Sequence, residues 1–195
     1  MEVIQEKSGN KHIFTFTEDS LNFAYEDKSG SGDTDIQYAE FQKKSSTRIE
    51  QNDWLRNAGL LWILIGAFSV GAGLMANKSD LGDFFWLALG AGCVIVAMVR
   101  RVKYSVYNTN SGNVFVIQDK EHDRIISEIF NRKKEQLLKW HGDINHEEEP
   151  HKEISKFKWL VEQGVLSETE ANRQIAVIES SIVDSTETKS IHRIN

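Results

Sequence analysis

Hydrophobic residues in this 195-residue chain are concentrated in two runs near its middle. The run 58–76 contains no charged residue, and the run 82–99 contains only Asp83, near its start. A helix rises 1.5 Å per residue, so the first run reaches about 28 Å, close to the hydrocarbon thickness of a bilayer. Because backbone groups in lipid must pair within their own segment, the pattern predicts a two-helix transmembrane hairpin over 55–100, with spans at 58–76 and 82–99.

The charges around these runs predict how the hairpin is oriented. The link 77–83 is too short to hold a domain and has Lys78 as its one cation, whereas cations lie outside both runs. Since positive residues stay on the cytoplasmic side, we expect a multi-pass protein of the inner (plasma) membrane with both termini cytoplasmic. The tryptophans Trp54, Trp62 and Trp86 lie near the predicted ends and are typical of an aromatic belt. The flanking cations either set this topology or contact lipid headgroups: Lys43, Lys44, Arg48, Arg56, Arg100, Arg101 and Lys103.

Small residues recur at four-residue spacing within both runs. Ala67 and Gly71 form one such pair, and Ala88 and Gly92 form another. This spacing lets helix backbones approach closely. We expect these residues to pack the two helices of the hairpin against each other; contact between hairpins of different copies is the alternative.

Both flanks of the hairpin have strand-like alternation of apolar and polar residues. Phe14 and Phe16 share one face of their segment, as do Leu21, Phe23 and Tyr25. Shorter alternating segments follow at 36–41 and 102–108, and a compact apolar strand follows at 114–118. The segment 120–140 then has apolar residues at helical spacing. Two or three strands bury too little surface to be stable alone. The sequence therefore predicts a membrane α+β protein in which 1–50 and 102–141 form one cytoplasmic domain, with a single antiparallel sheet closed by one helix.

This order of strands followed by one closing amphipathic helix resembles the pleckstrin-homology-like (PH-like) domains of bacterial membrane proteins. The resemblance is carried by the stretches 12–27, 36–41 and 104–134. It implies a module for protein or lipid-headgroup contact. An inserted membrane hairpin departs from the usual layout of that family.

The C-terminal region predicts a linker and a pair of helices. Residues 142–153 are acidic and contain the only proline, Pro150, which favours a linker. Gly164 is placed to end one helix, and Ser167 with Glu170 forms a capping box that begins the next. We therefore expect a helical hairpin over 154–183 and a disordered tail over 184–195.

The helical hairpin resembles the SHOCT family of short C-terminal modules. The matching residues are Leu160, Gly164, Val165, Leu166, Ser167, Glu168 and Glu170. The resemblance implies oligomerisation or protein binding, and docking on the chain's own domain is the alternative. The residues expected to make this contact are Phe157, Leu160, Val161, Gly164, Leu166, Ile175 and Ile178.

Composition and motifs narrow the function classes. A net charge of −6 argues against nucleic acid as a partner, and a lone Cys93 implies no internal disulfide. The sequence has no G-x-S-x-G, Walker or H-E-x-x-H motif, Ser105 and the histidines have no recognisable partners, and no metal or cofactor is expected. We therefore expect a membrane-anchored, non-catalytic interaction or scaffold protein that contacts the bilayer and either itself or another membrane protein. The alternative is a small channel or membrane-perturbing effector, against which stands the lack of polar residues to line a pore.

Overall fold

The computed structural model describes residues 1–76 and 81–191, apart from the side chains at 81, 83 and 182–191. Within this part of the chain the architecture is α+β, with two antiparallel sheets and five α-helices. The predicted link at 77–83 lies mainly outside the described residues.

The first sheet is a meander of four strands: β1 (Glu2–Lys7), β2 (Asn10–Phe16), β3 (Ser20–Asp27) and β4 (Gly30–Gln37). The predicted alternation is confirmed, since Phe14, Phe16, Leu21 and Phe23 all lie on the buried face. Strand β1 joins β2 through a two-residue turn in which Ser8 and Gly9 both have positive φ. This conformation matches the twist of the paired strands.

The second sheet has three strands: β5 (Ser46–Glu50), β6 (Val102–Thr109) and β7 (Gly112–Ile117). The prediction of a single sheet is therefore wrong. Strand β4 ends at Gln37, and the next residues, Tyr38–Glu40, form one turn of 3-10 helix. The Tyr38 hydroxyl donates to the carbonyls of Thr17 and Ser20, which turns the chain away before β5 begins.

Helix α3 (His122–His141) packs on the two sheets, and together they form the split domain. Ile125 and Ile129 of α3 are buried in one cluster with Phe14 and Val114. The side chain of Gln5 joins the sheets: its Nε2 donates to the Ile117 carbonyl at 2.8 Å, and its Oε1 accepts from the Ile117 amide at 2.9 Å. A buried amide thus extends the strand pairing from β1 to β7.

Helices α1 (Asp53–Met75) and α2 (Leu81–Val99) form the inserted hairpin, which connects β5 to β6. Those two strands pair directly, with Glu50 opposite Val102, so the hairpin emerges from the end of a two-strand ladder. Of the two predicted spans, one lies in a described helix long and apolar enough to cross a bilayer, α1; the apolar part of α2, Phe84–Val99, is shorter.

The two helices of the inserted hairpin meet at glycines other than those predicted. A Cβ on Gly59 would lie 2.8 Å from the Gly90 carbonyl oxygen, and one on Gly66 would lie 2.6 Å from the Leu87 nitrogen. The predicted packing residues Ala67, Gly71, Ala88 and Gly92 are instead exposed, and the prediction is wrong. Both faces of these helices carry small residues, so four-residue spacing does not specify which face packs.

The tryptophans of the inserted hairpin also differ from expectation. Trp62 and Trp86 stack on each other across the helix pair, with ring centroids 4.4 Å apart and planes 10° from parallel. They therefore contribute to helix packing, and only Trp54, 77% exposed at the start of α1, occupies an end of the hairpin.

Helices α4 (Pro150–Glu162) and α5 (Glu168–Ile191) form the C-terminal module. Helix α4 begins at Pro150, inside the predicted linker, because proline suits the first turn of a helix. Gly164 has φ of 74° after α4, and Ser167 and Glu170 form the predicted capping box. Helix α5 extends past the expected end at 183, whereas 192–195 of the predicted tail lies outside the described residues.

Candidate functional site

The structure separates the flanking cations that the sequence groups together. Arg56 lies in the first turn of α1, 3.1 Å from Asp53, and Arg100, Arg101 and Lys103 follow the end of α2. Lys43 lies at the C-terminal module, where its Nζ is 3.6 Å from the position that a Cβ on Gly164 would take.

Lys43 and Lys44 precede β5, whose length carries the chain from this module to the inserted hairpin. Lys43 therefore lies apart from the cations at the two junctions, because the strand β5 intervenes between it and the hairpin. Arg48, on β5, lies with its guanidinium 5.7 Å from the ring centroid of Phe115.

A cavity of about 590 Å³ opens where the inserted hairpin joins the split domain, and we call it the root cavity. Four chain segments form it: the β1–β2 turn, the β3–β4 turn, the β5–α1 junction and the α2–β6 junction. Its charged lining residues are Lys28, Glu50, Asp53 and Arg100. The cavity is therefore polar and carries both signs of charge beside the first turn of α1.

A partly buried hydrogen-bond network lies between the root cavity and the second sheet. Asn10, which is 6% exposed, donates through Nδ2 to the Tyr104 hydroxyl at 2.6 Å and to Glu50 Oε2 at 3.1 Å. The Tyr104 hydroxyl donates in turn to Glu50 Oε2 at 2.9 Å. Burial and the Glu50 carboxylate raise the pKa of Tyr104, so its hydroxyl keeps this proton. The network fixes the carboxylate of Glu50 at the boundary between two cavities.

The second cavity, of about 280 Å³, shares Asn10 and Glu50 with the first, and we call it the aromatic cavity. Its walls include the rings of Tyr25, Tyr104 and Phe115. Two carboxylates, Asp27 and Glu50, and one guanidinium, Arg48, are the charged groups among the described residues that line it. The aromatic cavity therefore combines π faces with a net negative charge.

His12 lies in the wall of the aromatic cavity with one nitrogen unpaired. Its Nδ1 is 2.7 Å from the Phe115 carbonyl oxygen, which can only accept, so Nδ1 carries the proton. Burial lowers the pKa of His12, opposed by the bond to Phe115 and the charges of Asp27 and Glu50. The ring is therefore neutral near pH 7. His12 as a whole is 6% exposed, and its Nε2 has no hydrogen-bond partner among the described residues but is accessible from the aromatic cavity rather than fully buried.

Arg101 places a second unsatisfied group at the α2–β6 junction. Its Nε is the one buried side-chain nitrogen or oxygen without a hydrogen-bond partner among the described residues. Burying a charged donor without a partner is unfavourable, so this nitrogen lowers the stability of the junction.

No family model, curated protein or solved structure matches this chain. Its function must therefore be inferred from its own residues. Among the described residues, no group of three or more His, Cys, Asp or Glu side chains is placed to hold a metal ion.

The residues predicted for C-terminal association pack within the chain. Phe157, Leu160 and Ile178 are buried in a cluster that includes Leu137 of α3. Val161, Leu166 and Ile175 pack against the same cluster, while Gly164 ends α4. These apolar stripes are thus covered by the chain's own split domain, which was the alternative to association.

Lys133 connects the C-terminal module to the split domain by hydrogen bonds. Lys133 is 1% exposed. Its Nζ donates to the Phe41 carbonyl at 2.7 Å and to Gln163 Oε1 at 2.8 Å. Burial, together with the nearby charge of Lys43, lowers the pKa of Lys133.

Ser105, His122 and Asp123 form a hydrogen-bonded series that sequence reasoning missed. Ser105 Oγ is 2.9 Å from His122 Nε2, and His122 Nδ1 is 2.7 Å from Asp123 Oδ1. A serine protease triad has the same connectivity. Here Ser105 is 6% exposed within a strand and also accepts from Gln118, and the Asp123 side chain is 99% exposed. The series joins β6 to the start of α3, and an exposed carboxylate orients an imidazole weakly.

Proposed function

We propose that this protein is a non-catalytic membrane-anchored interaction protein, with the inserted hairpin in the bilayer and the split domain and C-terminal module at the cytoplasmic surface. The observation that carries the proposal is the outward face of the hairpin. Six large apolar side chains of the hairpin are each more than half exposed: Leu61, Leu64 and Phe68 of α1, and Phe85, Ile95 and Val99 of α2. Nothing in the described part of the chain covers this apolar surface, and lipid is the solvent that suits it.

The way the hairpin joins the split domain supports the same arrangement. It leaves the domain between two paired strands, so the domain is held close against the headgroup region. Arg56, Arg100 and Arg101 lie at the two junctions, where cations favour the cytoplasmic side. The split domain has one sheet of four strands, one sheet of three strands and a packed helix, and this architecture supports its PH-like interpretation.

Two surfaces are suited to partners. The junction cations and the root cavity face the membrane in this orientation and would contact lipid headgroups. The exposed Ala67, Gly71, Ala88 and Gly92 allow the hairpin of a second copy, or of another membrane protein, to approach closely.

Carbonate extraction of native membranes tests the anchoring. We expect the protein to stay in the membrane pellet at high pH. Release into the supernatant, together with a compact protein in detergent-free buffer, would refute the proposal.

Labelling with an impermeant maleimide tests the orientation. In a C93A background, a cysteine at Ser79 should be labelled from outside intact cells. One at Ser111, in the β6–β7 turn, should be labelled only after the cells are permeabilised. Reversed labelling would place the split domain outside the cell and overturn the cytoplasmic assignment.

A further inference from the structure

We propose that the adjacent root and aromatic cavities, which share Asn10 and Glu50 in their linings, bind the headgroup of a phospholipid bearing a primary amine, with the ammonium in the aromatic cavity beside His12 and Glu50 and the phosphate in the root cavity beside Lys28 and Arg100. This inference rests on the proposed membrane anchoring, because it takes its ligand from the adjacent leaflet. It names the lipid class that the split domain contacts.

The aromatic cavity has the groups that recognise an N–H cation. His12 Nε2 is an acceptor on a side chain that is 6% exposed, and the Nδ1 bond to Phe115 fixes the ring so that Nε2 remains available. Glu50 supplies negative charge, and its Oε2 is fixed by bonds from Asn10 and Tyr104. Aromatic faces add favourable interaction with a cation.

A primary ammonium fits this set better than a quaternary one. An ammonium donates up to three hydrogen bonds, whereas a trimethylated amine donates none and would leave Nε2 unpaired. An anionic headgroup without an amine would place its charge against Asp27 and Glu50. The cavity therefore discriminates by hydrogen-bond donation as well as by charge.

The root cavity is the neighbouring place for the phosphate. It shares Asn10 and Glu50 with the aromatic cavity, so the two cavities are adjacent, and the proposal places the two charges of one headgroup on either side of this boundary. Lys28 and Arg100 line it, and so does Asp53, whose carboxylate is 3.1 Å from the Arg56 guanidinium. Because the cavity opens beside the first turn of α1, a lipid in the adjacent leaflet can enter with its acyl chains along the inserted hairpin.

Native mass spectrometry of the full chain in detergent micelles tests the inference. The probes are dihexanoyl-phosphatidylethanolamine, the matching phosphatidylcholine and phosphatidylglycerol, and free phosphoethanolamine. We expect one ethanolamine lipid bound about tenfold more tightly than either other lipid. Equal binding of the three lipids would overturn the proposal, and free phosphoethanolamine binding as tightly as the lipid would assign the site to a soluble amine instead.

Two substitutions test the residues assigned to the amine. His12→Asn keeps an N–H near the Nδ1 position and removes the Nε2 acceptor, and Glu50→Gln keeps the shape and removes the charge. His12→Asn should abolish the preference for ethanolamine, about a tenfold loss, and leave choline-lipid binding unchanged. Glu50→Gln should weaken the binding of both lipids, because each headgroup carries a cation. His146→Asn, in the exposed loop before α4, is the matched control and should change nothing.

Nitrogen-15 NMR of His12 gives a readout that does not depend on the variants folding. In the unsubstituted protein, the ethanolamine lipid should shift the Nε2 resonance and the choline lipid should not. An unmoved resonance at saturating ethanolamine lipid would overturn the proposal even if carbonate extraction confirmed the anchoring. Release of the protein by carbonate would instead refute the proposed function.

Discussion

Replacing Gly90 by alanine should separate the helices of the inserted hairpin. The new Cβ would lie 2.6 Å from the Gly59 carbonyl oxygen and 2.7 Å from the Ile63 nitrogen. Both are backbone atoms, so no side-chain rotation relieves the overlap. Carbon–oxygen contacts between helices need about 3.3 Å, so α1 and α2 must move apart by roughly 0.7 Å.

The magnitude follows from two opposing effects. Overpacking a close interface destabilises by about 1–3 kcal/mol. Alanine stabilises a helix relative to glycine by up to about 1 kcal/mol. Gly92→Ala is the matched control, because a Cβ at that position would meet nothing within 4 Å and so only the second effect applies. The two variants should therefore differ by about 1–3 kcal/mol, with Gly90→Ala the less stable.

Equilibrium unfolding in mixed micelles of rising dodecyl sulfate content measures this difference. The stacked Trp62 and Trp86 give a near-ultraviolet circular dichroism signal that reports separation of the helices. Excess micelles keep the protein monomeric, so contacts between copies do not contribute. If Gly92→Ala lost as much stability as Gly90→Ala, the helices would pack through the face that the four-residue spacing suggested.

Three further predictions concern the split domain and the C-terminal module. Gln5→Leu leaves the buried amide of Ile117 without its partner, whereas the Ile117 carbonyl keeps its bond from the Asp119 amide. The substitution should destabilise the split domain by about 1–3 kcal/mol, seen as a lower melting temperature, and Gln118→Leu should have little effect. Burial lowers the pKa of His12 from its ordinary value of 6.5, so the unfolded chain binds this proton more readily than the folded chain. The free energy of unfolding should therefore fall as pH drops below about 6.5, and His12→Asn should flatten that dependence. Asp27, Glu50 and Arg48 are the charged groups that face the ring, and identical pH profiles for the two proteins would contradict the assignment. Gly164→Ala forces a side chain into the left-handed region at φ of 74° and should cost about 1–2 kcal/mol, measured as faster proteolysis between α4 and α5, with Ser155→Ala as the silent control.

Local patterns in the sequence predicted several parts of this fold. Alternation identified the buried Phe14 and Phe23, and helical spacing identified Ile125 and Ile129, because each pattern reflects one face of one element. Gly164 and the capping residues were predictable for the same reason, since a helix end depends on residues a few positions apart.

Features that depend on distant residues were not predictable. Strand β1 was missed because one of its two inward residues is Gln5, which is polar and is satisfied by Ile117 and Asp119, more than a hundred positions away. Strand β5 has no alternation to detect, since all its residues are exposed and its pairing with β6 is what makes it a strand.

The candidate site also depends on residues that are distant in the sequence. His12 reads in the sequence as a polar interruption of an apolar strand, and its role appears only where β2 meets Tyr104 and Phe115 of the second sheet. Glu50 likewise reads as a polar residue before the hairpin. The cavities arise from four separate segments, so no spacing rule could assemble them.

The position of the inserted hairpin between β5 and β6 determines the order in which the parts of the split domain emerge during synthesis. The first four strands leave the ribosome well before β6, β7 and α3, which cover their apolar face. At about 5–20 residues per second the ribosome delivers those covering segments several seconds later, after both apolar helices have emerged. Emergence of the hairpin therefore precedes closure of the split domain. During that interval the nascent meander presents Phe14 and Phe23 to any chaperone at the ribosome exit.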